Sequence, residues 1–512
     1  MRRLDTLDEV LAWLRPLGVR GLQLDHRALC PGDAFLAWPG ARHDGRQHVA
    51  AALQAGAQAV LVEADGLQAM AFDVAVSDRV AAVPGLKALA GALAAHLAGD
   101  PSQQLRVVGI TGTNGKTSTA WWVAQWLQAL GTPCAVAGTL GLGRPGEALQ
   151  VTGLTTPNAL QWQRSLQQLL AQGVQACAVE VSSIGLVEGR LAGTHVDTAV
   201  FTNLTQDHLD YHGDMASYWA AKRRLFDWPG LRAAVVDIDD SHGAELARDL
   251  QRRQAADGLD LWTVSLQDPT ARLQALDWAV QRQGLRATVV ETGADGHALA
   301  SVELAVPFVG AYNLHNLLCA MAVLRAQGHA LTHIAANAAA LTAVPGRMQA
   351  AWADAQPLVL VDYAHTPDAV AQALAALRPM AQARAGALWC LLGCGGNRDA
   401  GKRPLMAAAA EAGADRVVLT SDNPRDEDPL AILRQMQAGL QRPAQARVEP
   451  DRARAIEQAV QDAADDDIIL LAGKGHEDYQ EVRGVRQPFS DLAQARQALR
   501  RRRGHQPEET PA

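Results

Sequence analysis

Short apolar runs alternate with longer segments of helical spacing along most of this 512-residue chain. Runs such as "AQAVLVE" (57–63) and "LRVVGI" (105–110) are apolar at nearly every position, which predicts strands buried on both faces. The segments between such runs predict helices that cover the two faces. Because buried strands joined by helical crossovers are typical of parallel sheets, the pattern predicts an α/β fold.

Two breaks, "DPSQQ" at 100–104 and "VPGR" at 344–347, divide this pattern into three blocks. A chain of this length is too long for one core, so we expect several domains. We predict a small N-terminal α/β domain (1–98), a central domain with a mostly parallel P-loop-type sheet (99–343) and a C-terminal Rossmann-like α/β domain (344–498). We expect strands to alternate with helices throughout the central block. The arginine-rich tail, 499–512, is predicted to be disordered.

Composition and charge argue against several classes of protein. The net charge of −8 argues against a general nucleic-acid binder, and the apolar runs are too short for the roughly 18–20 residues of a membrane span. The first residues, "MRRLDTLDEVLAWL", carry acids that are not typical of a signal peptide. Of the six cysteines only Cys390 and Cys394 are close in sequence, which predicts reduced thiols and a cytoplasmic protein.

The stretch "VVGITGTNGKTS" places a glycine loop between a predicted strand and a predicted helix. Glycines let backbone N–H groups turn toward phosphate oxygens, and the helix adds its positive end. Lys116 would then reach the β- and γ-phosphates, and Thr117 would bind Mg²⁺. The spacing is shorter than the usual P-loop, since Ile110 stands where that motif has glycine. The loop predicts ATP binding, with an ordinary glycine turn as the alternative.

Two strand ends that follow the glycine loop carry possible metal ligands. Glu180 ends the apolar run "ACAVEVSS", and Asp207 and His208 follow the next one, "TAVFTNL". In parallel α/β sheets the carboxyl ends of strands carry the ligand sites. A carboxylate and an imidazole at neighbouring strand ends predict a second Mg²⁺ site, although His208 on its own is equally consistent with a plain loop histidine.

Lys222 is an unusual residue because only five of the 46 lysine and arginine residues are lysine. It lies in "SYWAAKRRLFDW" on the apolar side of a predicted helix that Asp214 can cap. A retained lysine indicates a need for an amine that can lose its proton, which arginine cannot do. The alternative is a lysine whose stem passes the neighbouring aromatic rings to reach solvent.

Nine motifs in order then resemble one family: GTNGKTS, EVSS, TNLTQDHLDYHG, GAYNLHN, VPGRM, VDYAHTPDA, GKRPLM, TSDNPR and AGKGHEDYQ. From residue 20 to about 495 the chain resembles the Mur ligases, the ATP-dependent amide ligases of peptidoglycan synthesis. It looks most like those that add meso-diaminopimelate to UDP-N-acetylmuramoyl-L-alanyl-D-glutamate through an acyl phosphate. VPGR and the glycine loop would also fit folylpolyglutamate synthetases.

The resemblance implies roles for residues of the central and C-terminal blocks. It implies ATP contacts from Gly112, Thr113, Asn114, Gly115, Lys116, Thr117, Ser118, Asn316, Arg347 and Asp362, the last at the ribose. It implies Mg²⁺ ligands at Thr117, Glu180, His208 and Lys222, with Lys222 carbamylated. Lys116, His208 and Lys222 would be the catalytic groups. Burial favours the neutral amine that reacts with CO₂, which agrees with the carbamate.

The same resemblance implies two substrate sites. For the UDP-sugar dipeptide it implies Leu24, His26, Ala41, Arg42, His43, Thr155, Thr156, Ser182, Glu188 and Arg190. For diaminopimelate it implies Arg398, Asp422, Asn423, Pro424, Arg425, Gly473 and Glu477. Arg425 offers a planar fork to the extra carboxylate of diaminopimelate and repels the ammonium of lysine, while Glu477 can meet an amine.

Five positions depart from what the family usually has, which is serine, asparagine, histidine, glutamine and aspartate. They are His26, Leu154, Ile184, Glu188 and Asn397. Glu188 adds negative charge near an anionic substrate. The alternatives are therefore a sibling ligase that adds lysine or extends folate, and a paralogue that binds these ligands without catalysis. The expected partners are small molecules, with no nucleic acid, and the expected state is a monomer.

Overall fold

The computed structural model describes residues 1–40, 43–67, 78–281, 284–293, 295–308, 310–351 and 356–505. These residues form two compact units, Met1–Ala271 with Cys319–His329, and Arg272–Leu318 with Ala330–Ala512. The α/β prediction is confirmed, because parallel sheets with helical crossovers dominate both units. In the part of the chain that the structure describes, we find no helix with the length and apolar character needed to cross a membrane.

The first unit contains two parallel sheets. Its elements are β1 (Arg2–Arg3), α1 (Leu7–Leu14), β2 (Gly21–Gln23), β3 (Asp33–Ala37), α2 (Val49–Gln54), β4 (Ala59–Glu63), β5 (Val80–Val83), α3 (Leu86–Leu97), β6 (Arg106–Thr111), α4 (Lys116–Ala129), β7 (Cys134–Gly138), β8 (Gly141–Gly143), α5 (Ala159–Ala171), β9 (Ala176–Glu180), α6 (Ser183–Val187), β10 (Thr198–Phe201), α7 (Leu209–His212), α8 (Met215–Arg223), β11 (Ala233–Asp237), α9 (Ser241–Asp257) and β12 (Asp260–Ser265). The next helix, α10 (Ala311–Ala326), crosses the division between the units.

The N-terminal sheet has the order β1-β5-β4-β3-β2, and every pair in it is parallel. The larger sheet of this unit runs β12-β11-β10-β6-β9-β7-β8 and is parallel except for the β7–β8 pair. Strand β6 lies between β9 and β10. The carboxyl ends of these three strands therefore meet, and the glycine loop, Glu180 and the segment after Phe201 leave the sheet side by side.

The second unit contains a meander, a parallel sheet and a hairpin. Its elements are β13 (Leu273–Gln281), β14 (Gly284–Thr292), β15 (Ala298–Val306), α11 (Leu331–Ala336), β16 (Gln349–Ala351), β17 (Leu358–Asp362), α12 (Pro367–Ala383), β18 (Leu388–Leu392), α13 (Lys402–Gly413), β19 (Arg416–Leu419), α14 (Pro429–Gln437), β20 (Arg447–Val448), α15 (Arg452–Asp462), β21 (Ile468–Ala472), β22 (Tyr479–Val482), β23 (Val485–Pro488) and α16 (Asp491–His505).

The six-stranded sheet of the second unit has the order β16-β17-β21-β18-β19-β20. Alternate residues of its strands belong to two different cores. On β21, Leu470 packs into one apolar cluster, whereas Ile469 and Leu471 pack into the other. Because successive side chains of a strand point to opposite faces, a run that is apolar throughout must be covered on both sides. This is the arrangement that the sequence predicts.

Two expectations were wrong. Strands β13, β14 and β15 form an antiparallel meander, so strands and helices do not alternate throughout residues 99–343. The predicted disordered tail is helical as far as His505, and residues 506–512 lie outside the described residues. Leu499 is buried, and the Arg502 guanidinium donates to the carbonyl oxygen of Ala463, so packing holds this polar segment in place. The boundaries of the three predicted domains stay a prediction.

Candidate active site

The glycine loop joins the buried strand β6 to helix α4. Gly112 has a φ of +148°, and a Cβ there would lie 1.9 Å from Thr202 Oγ1, so this position requires glycine. Lys116, the first residue of α4, donates from Nζ to the carbonyl oxygens of Gly112 (2.9 Å) and Thr113 (2.7 Å). The predicted order of strand, loop and helix is present. A lysine that folds back over a glycine loop at a helix N-terminus is suited to phosphate.

The segment that follows β10 is hydrogen-bonded to this glycine loop. Asn203 Oδ1 accepts from the backbone N–H of Asn114 (2.9 Å), and the Thr113 hydroxyl donates to the carbonyl oxygen of Thr205 (3.1 Å). Sequence reasoning did not single out Asn203 or Thr205. The feature that could have identified them is the parallel pairing of β10 with β6, which places the carboxyl ends of the two strands side by side.

Glu180, at the end of β9, is buried beside the loop. Its Oε2 accepts from the hydroxyls of Thr117 (2.9 Å) and Thr139 (3.2 Å), and its Oε1 accepts from the Thr139 N–H (2.8 Å). Hydroxyl and carboxylate oxygens are the donors that Mg²⁺ prefers, so this pair of predicted ligands fits the ion. Thr139 was missed, because nothing in its local sequence marks it.

Lys222 is buried, as its position on the apolar side of α8 predicts, and Asp214 caps this helix by accepting from Ser217 N–H. Its Nζ donates to the carbonyl oxygen of Gly112 (2.7 Å) and lies 4.4 Å from the centre of the Tyr218 ring. Burial lowers the pKa of Lys222 well below its usual value, and the nearby Lys116 lowers it further. The amine therefore favours its neutral form.

His208 lies close to the same tyrosine. Its ring centre is 6.2 Å from that of Tyr218, and its Nε2 is 3.4 Å from Asp207 Oδ2. The residue has a φ of +53° where α7 begins, and its imidazole is half-exposed. The structure thus places His208 and Lys222 against Tyr218 and joins Thr117 to Glu180.

Four residues predicted for the dipeptide surround the end of β9. Thr156 is buried, and its hydroxyl bonds the carbonyl oxygen of Glu180 (2.9 Å) and lies 3.0 Å from Ser182 Oγ. Arg190 donates to the carbonyl oxygen of Thr156 (3.1 Å), and Thr155 Oγ1 lies 3.3 Å from Thr139 Oγ1. These side chains form one network with a predicted metal ligand.

Three of the residues predicted for the UDP-sugar dipeptide follow strands of the N-terminal sheet: Leu24 and His26 after β2, and His43 after β3. Leu24 and His43 are exposed, and the His26 ring stacks on that of His48 with centres 4.7 Å apart. His48 was not predicted. Ala41 and Arg42 lie outside the described residues. The stacked pair explains how a histidine is accommodated at position 26, where the predicted family usually has serine.

The remaining predicted ATP residues belong to the second unit. Asn316 is buried on α10, and Asp362 ends β17. The Asp362 carboxylate accepts from the N–H groups of Met348 (2.8 Å) and Ala364 (2.9 Å), while burial raises its pKa. The Arg347 guanidinium stacks 4.6 Å over the Tyr363 ring. Arg347 and Asp362 thus lie at neighbouring loops of one sheet.

The predicted amino-acid residues cluster at the carboxyl ends of β18, β19 and β21. A Cβ on Gly395 would lie 2.9 Å from Arg425 Nη1 and 3.7 Å from Arg398 Cγ, so both arginines flank this glycine. Asn423 Nδ2 donates to Glu477 Oε2 (2.7 Å), and a side chain on Gly473 would approach Asp422. Pro424 contacts the next loop, since a Cβ on Gly396 would lie 1.9 Å from its carbonyl oxygen.

Lys474 joins these residues but was not predicted. It is buried, and its Nζ lies 3.0 Å from Asn423 Oδ1, 3.3 Å from Glu477 Oε2 and 3.5 Å from Asp422 Oδ1. Burial and the Asp422 carboxylate raise the pKa of Glu477. Two arginines, a carboxylate and an amide thus lie at neighbouring strand ends, and together they suit a ligand that carries both charges.

Three family models match consecutive parts of the chain. They describe a Mur ligase family catalytic domain (18–99), a Mur ligase middle domain (110–324) and a Mur ligase glutamate ligase domain (346–475). A relative from Acidovorax sp. (strain JS42) is 52% identical over 511 residues, covering 98% of this chain and 99% of its own length. The chain belongs to the Mur ligase family.

Further relatives of this Mur ligase agree. One from Pseudomonas aeruginosa is 48% identical and covers 95% of the chain and 96% of its own length. Both relatives are named UDP-N-acetylmuramoyl-L-alanyl-D-glutamate–2,6-diaminopimelate ligase. A solved structure of a ligase with that name is 35% identical with a TM-score of 0.69, and covers 95% of this chain and 96% of its own. The MurF ligase from Thermotoga maritima, solved with ADP, is 18% identical with a TM-score of 0.60, covering 95% and 98%.

The unusual Glu188 of this Mur ligase has partners that offset its charge. Glu188 Oε1 accepts from the Tyr211 hydroxyl (3.0 Å), and its Oε2 lies 3.8 Å from Lys87 Nζ. Lys87 lies on α3. These two contacts connect α3 to Glu188, which follows α6, and Glu188 to Tyr211 on α7.

The unusual Asn397 also has a structural reason. Its backbone N–H donates to Glu427 Oε1 (2.6 Å), and its Nδ2 donates to Asp426 Oδ2 (2.7 Å). Its φ of +54° is a conformation that asparagine tolerates well. The family's usual aspartate would set two carboxylates against each other here. Asn397 thus ties the loop after β18 to the loop that carries Arg425.

We expect the Lys87→Met variant to show a higher KM for the uridine-linked substrate, because Glu188 would keep its charge without a cationic partner. An exposed ion pair is worth a factor of about two to five. The double variant Lys87→Met/Glu188→Gln should regain the wild-type KM. Steady-state kinetics measure both, with Lys87→Arg as the matched control. Additive effects in this double-mutant cycle would contradict the pairing.

We expect Asn397→Asp to raise the KM for the amino acid about fivefold, the scale of one lost hydrogen bond. The second change in Asn397→Asp/Asp426→Asn restores a donor–acceptor pair and should restore the KM. The KM for ATP is the internal control. An Asn397→Asp enzyme with wild-type kinetics would show that the contact with Asp426 has no role.

Proposed function

We propose that this Mur ligase joins meso-2,6-diaminopimelate to the D-glutamate of UDP-N-acetylmuramoyl-L-alanyl-D-glutamate with the use of ATP, through an acyl phosphate. The observation that carries the proposal is the gathering of Arg398, Arg425 and Asn423 around Gly395, with Asn423 hydrogen-bonded to Glu477. The names of relatives that match nearly the whole chain support it.

The chemistry needs an amine, a carboxylate and a phosphoryl donor. The γ-phosphoryl group of ATP passes to the substrate carboxylate and leaves ADP. The neutral amine of diaminopimelate then attacks the acyl carbon, loses a proton, and the C–O bond to phosphate breaks. Catalysis of this kind depends on positioning and on neutralising negative charge. In a chain with a net charge of −8, Lys116 and the N-terminus of α4 supply that neutralisation locally.

The Thr117 hydroxyl and the Glu180 carboxylate are oxygen donors of the kind that Mg²⁺ prefers, which supports a metal site beside the loop. We propose that Thr117 binds the ion of the nucleotide, and that Glu180, His208 and Lys222 hold a second ion. Bound there, Mg²⁺ would neutralise charge on the phosphoryl group. The chain's own contribution is to orient Glu180 through Thr139 and to hold Lys222 against Gly112.

We propose that Lys222 carries a carbamate. Its neutral amine would add to CO₂ with the loss of one proton, which gives an anionic carbamate. The low pKa that burial imposes on Lys222 supports this step. Arginine lacks a neutral amine and cannot react in this way.

Specificity for diaminopimelate follows from charge. The second carboxylate of this amino acid suits the guanidinium groups of Arg398 and Arg425, which would repel the terminal ammonium of lysine. The Glu477 carboxylate offers an acceptor for the amine that accompanies that carboxylate. The site thus recognises one end of the amino acid by two opposite charges.

Purified protein with ATP, Mg²⁺ and the UDP-linked dipeptide should release phosphate with meso-diaminopimelate and not with L-lysine. Arg425→Ala should raise the KM for diaminopimelate about 30-fold or more, since it removes one partner of a charge pair. Arg416→Ala, at the other end of β19, is the matched control. Release with lysine would overturn the proposed specificity, and no release with either amine would favour a binding protein.

We expect Lys222→Arg to fold and to lose most activity, because the guanidinium cannot form a carbamate. Lys222→Ala should regain part of its activity in acetate or another short carboxylic acid, which replaces the missing anion. Phosphate release and mass spectrometry of the intact wild-type protein in bicarbonate measure these effects. Arg223→Lys, on the same helix, should behave as wild type. Full activity of Lys222→Arg would disprove the carbamate.

A further inference from the structure

Arg452 and Asp491 form a fully buried ion pair behind the candidate amino-acid site. Arg452 begins α15 and Asp491 begins α16, and neither side chain is exposed. The guanidinium meets the carboxylate with two parallel bonds, Nε to Oδ1 at 2.7 Å and Nη2 to Oδ2 at 2.6 Å. A bidentate pair of this kind holds the guanidinium plane in one orientation.

The same guanidinium also donates to two strand ends. Its Nη2 lies 3.0 Å from the carbonyl oxygen of Ala472, the last residue of β21, and its Nη1 lies 3.3 Å from that of Ser421, which follows β19. The next residues along the chain are Gly473 and Asp422. Arg452 therefore contacts the backbone just before two segments of the candidate site, Asp422–Arg425 and Gly473–Glu477, which we call its two arms.

The sheet does not pair β19 with β21. Beyond the strand ends the two arms meet through side chains, since Asn423 Nδ2 donates to Glu477 Oε2 (2.7 Å) and Lys474 Nζ donates to Asn423 Oδ1 (3.0 Å). Strand β18 lies between β21 and β19, so their ends are two strand spacings apart, about 10 Å. The ladder connects each of them to β18. Arg452 spans this interval with one rigid group, and Asp491 sets the position of that group.

Stability alone gives no reason for such a pair. Burying two charges costs about as much as their attraction returns, and apolar residues of similar volume often serve the core as well or better. A planar fork with several donors, in contrast, holds carbonyl groups at fixed separations. The pair therefore contributes a fixed geometry rather than added stability.

We propose that Arg452 and Asp491 are positioning residues that set the separation between the Asp422–Arg425 arm and the Gly473–Glu477 arm. This inference rests on the proposed function, in which the two arms hold the amino acid together. Neither residue touches the ligand. Their effect is on the spacing between the Glu477 carboxylate and the Arg425 guanidinium, which would bind opposite charges of the amino acid.

The decisive variant is Arg452→Met/Asp491→Leu, which removes both buried charges and leaves neither unpaired. We expect its thermal unfolding midpoint to stay within a few degrees of wild type. We expect its KM for meso-diaminopimelate to rise at least about tenfold, because small misplacements of binding groups are costly. The KM values for ATP and the UDP-linked dipeptide should change less than about twofold.

Arg452→Lys is the conservative variant. It keeps the charge, but a single ammonium cannot reproduce the planar fork. It should also raise the KM for diaminopimelate while the other two KM values stay unchanged. Arg378→Met/Asp415→Leu is the control. Arg378 of α12 pairs with Asp415, which lies just before β19 at the end of the sheet away from the site, and this pair is partly exposed. This control should leave all three KM values unchanged.

The outcomes separate the two proposals. Wild type without activity on diaminopimelate overturns the proposed function. Active wild type together with an unchanged KM in the folded double variant overturns the positioning role. An equal rise of all three KM values, or a rise that the Arg378→Met/Asp415→Leu control shares, shows a general structural effect and also overturns it.

Discussion

The carbonyl oxygen of Gly112 accepts hydrogen bonds from two lysines, Lys116 and Lys222, and the candidate active site is organised around it. The contact requires glycine, because a side chain at 112 would collide with Thr202. It also requires Lys222 to be buried, which drives its pKa down. One backbone atom thus connects the loop geometry, the helix that follows it and the unusual state of a lysine on a distant helix.

The second unit solves a related problem with buried charges. Lys474, Arg403 and Arg452 are all buried, and each joins loops that leave different strands. Arg403 holds Glu427 with two bonds at 2.8 Å, and Glu427 in turn receives the N–H of Asn397. Loops at the carboxyl end of a parallel sheet extend beyond the ladder that pairs its strands. Side chains with several donors are a means of keeping such loops in register.

Two departures from the family pattern become understandable once their neighbours are known. Glu188 adds negative charge near an anionic substrate. The ammonium of Lys87 lies 3.8 Å from its carboxylate and offsets that charge. Asn397 faces Asp426, where the usual aspartate would be repelled. Considered alone, each departure suggests a lost contact with the substrate. Considered with its neighbour, each one has a partner of matching charge or hydrogen-bonding capacity.

The sequence by itself determined the fold class, the parallel strands and most of the candidate site. Strand hydrophobicity and the placement of Glu180, Asp362 and Asp422 at strand ends are local properties, and so is the burial of Lys222 on its helix. Tertiary structure decided the antiparallel meander, the helical tail and the partners of Lys87, Asn397 and Arg452. It also brought in Thr139, Asn203 and Lys474. The physical reason is that these depend on contacts between residues far apart in the chain, and periodicity in a single sequence carries no record of such contacts.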